Sequence, residues 1–205
     1  MLQAIDLECV RGDHCLFSRL NLSLKNGDLL HVQGKNGCGK TSLLRILTGL
    51  LPPTSGKVLW DGVTINALGG EYKKTLSYIG HLNAQKDDLS ALENLMVSSR
   101  ISAAPVSSSE VGAALQRFGI TAAAQLPFRV LSQGQKRRVA LAKLLLSKAT
   151  LWLLDEPFAA LDSSASDLLR TIVGAHLAQN GIAVISSHRE LDIPGGTLKR
   201  LALGL

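Results

Sequence analysis

Eight consecutive residues have the types and spacing of a phosphate-binding loop: a glycine, four residues, a glycine, a lysine and a hydroxyl residue. They are Gly34, Lys35, Asn36, Gly37, Cys38, Gly39, Lys40 and Thr41, and Ser42 follows them. Backbone N–H groups in such a loop, and the N-terminus of a helix after it, bind negative charge. We therefore expect residues 34–42 to bind a nucleotide, with Lys40 reaching the β- and γ-phosphates and the Thr41 hydroxyl on Mg²⁺.

Two carboxylates and a histidine follow apolar runs later in the chain. Asp155 and Glu156 come directly after residues 151–154. Asp155 fits a Mg²⁺ partner, directly or through water, and Glu156 fits a group that orients or deprotonates the attacking water. The alternative for this pair is a cap on the following turn. His188 would polarise the γ-phosphate or hold the water, and its alternative role is that of a satisfied polar side chain at a strand end.

These groups need a sheet whose strands end at one edge. Residues 29–33, 150–154 and 182–185 are expected to be buried strands, and the unbroken apolar run at 150–154 is typical of a parallel strand covered on both faces. Ligands of open parallel sheets lie at the carboxyl ends of the strands, which is where the phosphate loop, Asp155 and His188 stand. A helix is expected over 41–47, directly after the phosphate loop.

The rest of the N-terminal part predicts further strands. Residues 2–33 are expected to be antiparallel strands, and Asp61-Gly62 is expected to be a hairpin turn. A strand is also expected over 76–80, and a short last strand over 198–203. Together with the parallel strands, these elements predict a mixed central sheet and an antiparallel β subdomain.

The pattern between about 82 and 149 is helical instead. Ser90 and Glu93 form a capping box at the start of a first helix, and further helices are expected over 109–118 and 136–146. A helix over 168–179 follows the apolar run at 150–154. The chain is thus predicted to be one α/β domain, 1–205, with a helical subdomain inserted at about 82–149.

Composition limits the class of protein. The chain has 205 residues, three cysteines without metal-ligand spacing, and a net charge of +6 that suits an anionic partner such as a nucleotide, a nucleic acid or a membrane surface. No run of basic residues resembles a nucleic-acid arm, and no apolar run approaches the ~18 residues of a membrane span. Residues 1–6 have no basic region before an apolar stretch, so no secretory signal is expected. A cytoplasmic protein is expected, with any membrane role exerted through a partner.

The chain resembles the nucleotide-binding subunits of ATP-binding cassette (ABC) transporters, over nearly its whole length. The resemblance implies a P-loop NTPase of the ABC ATPase type that uses ATP and Mg²⁺. It rests on five motifs in order: Walker A at 34–41, a signature LSGGQ at 131–135 with one change at Gln133, Walker B at 151–156, the D-loop at 160–162 ending in Asp162, and the switch histidine His188.

The resemblance also implies a homodimer in which two chains pair head to tail. Ser132 and Gly134 of one chain would contact the γ-phosphate held by Gly39, Lys40 and Thr41 of the other, and Gln133 and Gln135 belong to the same signature. Ser132 and Gly134 are expected to precede a helix, and so to present a hydroxyl and N–H groups at its positive end. ATP would close the dimer, hydrolysis would open it, and the motion would drive integral membrane subunits.

Three residues depart from the family pattern. His81, with Gln85 as the alternative, stands where the lid usually has a glutamine, and an imidazole suits Mg²⁺ less well than an amide oxygen. Arg11 stands where an aromatic residue usually stacks on adenine, and a guanidinium can also stack on a base. Cys38 is either a small filler or a reactive thiol. In the second case, thiol reagents should inhibit the ATPase, ATP should protect it, and Cys38→Ala should abolish the effect.

Within the family, the chain is most similar to the haem-exporter ATPases of bacterial cytochrome c maturation. The similarity includes 78–81, 89–95, 134–142 and 149–158. It implies a peripheral subunit on the cytoplasmic face of the bacterial inner membrane, without direct binding of haem or nucleic acid. The alternatives are an ABC transporter ATPase with another cargo, a nucleic-acid-associated ABC protein, and a non-hydrolysing nucleotide-binding module.

Overall fold

A computed structural model of the chain describes residues 1–81, 85–101 and 105–204. The chain divides into two compact units. The first comprises Met1–Tyr78, Ala149–Glu156 and Val173–Leu205, and the second comprises Ile79–Lys148 and Pro157–Ile172. The second unit therefore also takes in 157–172, a segment that the sequence analysis left outside the helical insertion.

An antiparallel sheet of four strands lies in the first unit, in the order β2-β1-β4-β5. The hairpin predicted at Asp61-Gly62 is confirmed: it joins β4 to β5, and both of its turn residues have positive φ, 49° and 83°. Such a turn matches the twist of paired strands. The strands are β1 (Leu2–Arg11), β2 (His14–Leu24), β4 (Ser55–Trp60) and β5 (Val63–Thr64).

The second sheet has five strands in the order β6-β7-β8-β3-β9. Strands β3, β7 and β8 are buried almost throughout, as expected for parallel strands covered on both faces. The expectation of antiparallel strands through residue 33 is wrong for the last strand, because β3 pairs in parallel with β8 and β9. The strands are β3 (Asp28–Gln33), β6 (Leu76–Ile79), β7 (Leu151–Asp155), β8 (Ile182–Ser186) and β9 (Thr197–Ala202).

Seven helices lie in the described part of the chain, and none of them is long and apolar enough to cross a membrane. The capping box predicted at Ser90 and Glu93 is confirmed. The helices are α1 (Lys40–Leu47), α2 (Ile65–Leu68), α3 (Gly70–Thr75), α4 (Ala91–Ile101), α5 (Ser108–Arg117), α6 (Gln133–Leu146) and α7 (Ser163–Ala178). Two short 3₁₀ turns, Thr121–Ala123 and Phe128–Val130, precede α6.

Two of the predicted helix starts are wrong. Helix α6 begins at Gln133, three residues before the predicted start, and α7 begins at Ser163, five residues early. A capping residue precedes each true start, as described below. The predicted connector over 102–109 lies partly outside the described residues, and its last two residues begin α5.

Different packing contacts make each unit compact. In the first, α1 buries Leu43, Leu44 and Leu47 in a core that residues of both sheets share. In the second, α4, α5 and α6 pack on one another. The strand β3 and the helix α1 thus hold the phosphate loop between two buried elements.

Candidate active site

The phosphate loop leaves the buried strand β3 and enters α1 through Gly39. Gly39 has a φ of 103°, and a Cβ on it would lie 3.1 Å from Leu16 Cβ. A Cβ on Gly34 would lie 2.6 Å from the Leu203 carbonyl oxygen. The loop backbone therefore turns in conformations and spaces that favour glycine, and in such loops backbone N–H groups can face a phosphate.

The ammonium of Lys40 lies across this loop. Its Nζ donates to the carbonyl oxygens of Gly34, at 2.7 Å, and Lys35, at 3.3 Å. The side chain is 7% exposed, and its nearest carboxylate is Glu156 Oε1, at 3.8 Å. A buried cation held by carbonyls and a loose ion pair has capacity for a further anion, which fits the phosphates of a nucleotide.

Asp155 is the last residue of β7, and hydroxyl groups approach both of its carboxylate oxygens. Thr41 Oγ1 donates to Oδ2 at 2.7 Å, and Ser186 Oγ donates to Oδ1 at 2.6 Å. Asp155 is 1% exposed. The pair of Thr41 and Asp155 oxygens is the kind of hard donor set that Mg²⁺ prefers, and such sites usually add phosphate and water oxygens to one or two carboxylates.

Glu156 turns out of the strand. Its φ is +45°, a left-handed conformation that is uncommon for a residue with a side chain. Its N–H donates to Ser186 Oγ at 2.9 Å and to the Ser186 carbonyl at 3.2 Å. The turn brings the Glu156 carboxylate between Lys40 and His188, whose Nδ1 lies 3.2 Å from Oε2. Adjacent carboxylates thereby reach one site.

Sequence reasoning missed Ser186. This fully buried residue ends β8, beside Asp155 in the register of β7 and β8. Its hydroxyl joins the two carboxylate residues, because it donates to Asp155 and accepts from the Glu156 N–H. The available signal was a serine at the end of an apolar run, at the same edge as the other polar groups.

The signature residues lie in the second unit, at the start of α6. Ser132 is the N-cap: its Oγ accepts from the Gln135 N–H at 3.2 Å, and the Gln135 side chain accepts from the Ser132 N–H at 2.9 Å. The expectation that Ser132 and Gly134 precede a helix is therefore wrong for Gly134, which lies in the first turn with Gln133. N–H groups at the start of a helix that lack a partner within the helix can bind an anion.

Asp162 caps the next helix of the second unit. Its Oδ1 accepts from the Ala165 N–H at 3.0 Å, and its Oδ2 accepts from Arg138 Nη2 at 2.6 Å. The backbone bond from Ala165 and the neighbouring Arg138 guanidinium lower the pKa of Asp162 below its ordinary value. The D-loop carboxylate is thus built into the start of α7.

The structure brings together Lys40, Thr41, Asp155, Glu156 and His188 in the first unit. His81, Ser132 and Asp162 belong to the second unit, where His81 is exposed. Arg11 is exposed at the end of β1. The nucleotide-contacting roles of all these residues stay predictions.

The sequence profile of the family described as ABC transporter matches residues 17–159. Among solved structures, a putative ABC transporter ATP-binding protein of Pyrococcus furiosus is 27% identical, with a TM-score of 0.83 over 98% of this chain and 96% of that one. The dimeric bacterial ABC transporter cassette MJ0796 is 22% identical, with a TM-score of 0.86 over 98% and 94%. Fold and site therefore define an ABC-type ATPase.

Relatives with assigned names show which group of ABC-type ATPases the chain belongs to. The cytochrome c biogenesis ATP-binding export protein CcmA of Dechloromonas aromatica is 48% identical over 100% of both chains. The protein of the same name from Nitrosospira multiformis is 48% identical over 98% of both. The chain belongs to the ABC transporter family and, within it, to the family of these CcmA proteins.

Proposed function

We propose that the chain is the ATP-hydrolysing subunit of an ABC transporter complex of bacterial cytochrome c biogenesis. One observation carries the assignment: the chain shares 48% of its residues, end to end, with a relative named for that process. The site geometry supports the hydrolytic part of the proposal, because the phosphate loop, two carboxylates and a histidine converge at one edge of a sheet.

In the proposed reaction Glu156 accepts a proton from the attacking water or orients it. His188, 60% exposed, lies against Glu156 and is in reach of the same water or of the γ-phosphate. Lys40 and the N–H groups of residues 34–42 bind the phosphates and stabilise negative charge on them. Arg11 is proposed to stack on the adenine base.

Thr41 and Asp155 are proposed to hold Mg²⁺, and their paired oxygens fit a hard cation. When bound, Mg²⁺ would neutralise charge on the β- and γ-phosphate oxygens. In the second unit, His81 is proposed to act as the lid residue, contacting the metal through water or sensing the membrane partner.

The active form is proposed to be a head-to-tail homodimer. The solved cassette MJ0796, which has this fold, is dimeric. Ser132, Gln133, Gly134 and Gln135 of one chain would cover the γ-phosphate bound by the other, with Asp162 in the adjoining D-loop. The capping box of α6 supports this role, since it fixes the first-turn N–H groups in one direction.

The complex is proposed to sit at the bacterial inner membrane, with this chain peripheral on the cytoplasmic face and integral membrane subunits as partners. ATP hydrolysis there would support haem export or release of a haem chaperone, without haem contacting this chain. Affinity purification from membranes tests this arrangement: we expect integral membrane subunits of the cytochrome c machinery, and recovery of another transporter would contradict it.

A Glu156→Gln variant tests the hydrolytic mechanism. Loss of the base should slow hydrolysis by about 10²–10⁴-fold while ATP still binds, because general-base catalysis contributes rate enhancements of that size. Trapped ATP should also favour a dimer in size-exclusion chromatography with light scattering. The control is Glu71→Gln, an exposed carboxylate paired with Lys74. Equal hydrolysis by Glu156→Gln and wild type would show that Glu156 is not the base.

A further inference from the structure

The three residues that precede the phosphate loop all hold the segment that carries His188. The Val32 carbonyl accepts from the Ser187 N–H at 3.1 Å. His31 Nε2 lies 3.3 Å from the Ser187 carbonyl oxygen, and Gln33 Nε2 donates to Glu190 Oε1 at 3.3 Å. The end of β3 thus contacts both the phosphate loop and the chain around His188.

The contact of His31 fixes a particular peptide group. The carbonyl of Ser187 belongs to the peptide bond that leads into His188, so holding its oxygen sets the direction in which the chain enters that residue. A carbonyl oxygen only accepts hydrogen bonds, which assigns the imidazole proton to Nε2. With the Val32 bond, both backbone polar groups of Ser187 are held by β3.

Packing alone does not explain a histidine here. His31 is fully buried in β3, and its Nδ1 has no hydrogen-bond partner among the residues that the structure describes. A buried polar atom without a partner costs about 1–3 kcal/mol. Leucine would fill such a position without that cost, so the imidazole carries a local penalty, and its contact with Ser187 is the compensating feature.

His31 is suited to hold the Ser187 carbonyl because its surroundings favour a neutral imidazole that donates a hydrogen bond. Burial lowers its pKa below the ordinary value, while the bond to Ser187 and the carboxylates of Glu190 and Glu156 act in the opposite direction. Arg200, which pairs with Glu190 at 3.7 Å and lies opposite His31 in the strand register, adds to the lowering. At neutral pH the side chain is an uncharged donor.

We propose that His31 is a positioning residue for the ATPase reaction: it holds the Ser187 carbonyl and thereby sets His188 against Glu156. The inference rests on the proposed role of His188 in hydrolysis. It predicts that His31 affects turnover and not nucleotide affinity, since the contacts of His31 reach the chain around His188, whereas the phosphates are bound by residues 34–42.

The test compares His31→Leu, which removes the donor, with His31→Gln, whose amide can reach the same carbonyl. His31→Leu should lower kcat about tenfold and leave KM for ATP within about twofold, as misplacing a catalytic group does. His31→Gln should restore most of the activity. In a His188→Ala background, measured by sensitive phosphate release, His31→Leu should cause no further loss, because the two changes act through one group.

Several outcomes would overturn the inference. They are unchanged turnover in His31→Leu, an equal loss in the His188→Ala background, or failure of glutamine to rescue. If His31→Leu does not fold, His31→Asn replaces it, since its shorter amide stays neutral and polar but does not reach Ser187. If His188→Ala itself hydrolyses ATP like wild type, the proposed role of His188 fails, and that result is separate from a failure of His31.

Discussion

Asp155 and Glu156 are neighbours in sequence, but the structure holds them by different means. Asp155 ends a regular strand and receives two hydroxyl donors. Glu156 adopts a left-handed backbone, which costs about 1–2 kcal/mol for a residue with a Cβ. Two hydrogen bonds from its N–H to Ser186 offset that cost. The resulting geometry separates the proposed metal-binding and proton-accepting roles.

Ser186→Ala should impair hydrolysis by disturbing both carboxylates. The change removes the hydroxyl that donates to buried Asp155 and accepts from the Glu156 N–H, and a hydrogen bond to a charged group contributes about 1.5–3 kcal/mol. Turnover should fall about tenfold or more, measured as phosphate release at saturating ATP. Ser77→Ala is the matched control, because Ser77 is buried in the same sheet but its hydroxyl has no partner among the described residues. Equal effects of both changes would contradict the prediction.

At the residue scale the sequence predicted the loop and the carboxylates but not their supports. Lys40 and Thr41 follow from local spacing. Ser186 and His31 act on partners 31 and 156 residues away. Those contacts depend on β8 lying between β7 and β3, and the order of strands in a sheet is set by tertiary packing that local patterns do not contain.

Three helices of the second unit begin with the same capping device, a serine followed three residues later by a glutamate or glutamine. The boxes are Ser90 with Glu93, Ser107 with Glu110, and Ser132 with Gln135. Only the first was predicted. Glycine at position 134 is a weak helix former, which made the start of α6 look like a loop although the cap offsets that weakness.

Ser132→Ala should separate the structural from the functional effect of the cap. Loss of an N-cap serine costs about 1 kcal/mol of stability, which urea unfolding would measure. Ser107→Ala should lose a similar amount in α5, because its box has the same geometry. Only Ser132→Ala should also lower ATPase activity, since its hydroxyl is proposed to face the partner's nucleotide. Equal activity in the two variants would remove Ser132 from the site.

The start of helix α7 was also not predictable from the local sequence. Its first residues include Ser163, Ser164 and Ser166, which favour turns over helix interiors. The helix nevertheless begins there because Asp162 accepts the Ala165 N–H. The D-loop residue was recognised through its motif, and its capping role emerged only from the structure. The longer helices were predictable from periodicity, whereas α2 and α3 were not predicted and the starts of α6 and α7 depended on caps.

At the scale of the molecule, the proposed catalytic groups are divided between two units. The parallel sheet of the first unit carries the phosphate loop and the carboxylates, and the second carries the signature and the D-loop. The α/β class was predictable, because apolar runs and helical periodicity occupy separate stretches of sequence. The parallel pairing of β3 with β8 and β9 was not predictable, because the residues of β3 fit either sheet.

Acid should destabilise the protein through its buried histidines. His176 is stacked on Trp152, with ring centroids 3.7 Å apart, and burial lowers the pKa of His176 below its ordinary 6.5. At pH values between the lowered pKa of folded His176 and its ordinary pKa, the unfolded chain binds more protons than the folded chain. The contribution of neutral His176 to the free energy of unfolding is therefore complete above about pH 6.5 and declines as pH falls. His176→Phe should reduce the loss of stability between pH 7.5 and pH 5 in urea unfolding.

The control for this experiment is His14→Phe, at an exposed position of β2. It should leave the pH dependence of unfolding as in wild type. His31 is also buried with a lowered pKa, so part of the acid effect should persist in His176→Phe. If His176→Phe lost as much stability on acidification as wild type, burial of His176 would not be a source of the pH dependence.

Complementation between inactive chains would test the composite site at the level of the whole assembly. Lys40→Ala disables the phosphate loop, and Ser132→Arg disables the signature, so each variant alone should be inactive. In an equal mixture half of the dimers are mixed, and each mixed dimer has one site built from the intact loop of one chain and the intact signature of the other. About a quarter of all sites are then complete, as the symmetry of a head-to-tail pair requires. Phosphate release should therefore recover to about a quarter of the wild-type rate, whereas no recovery would contradict a site shared between two chains.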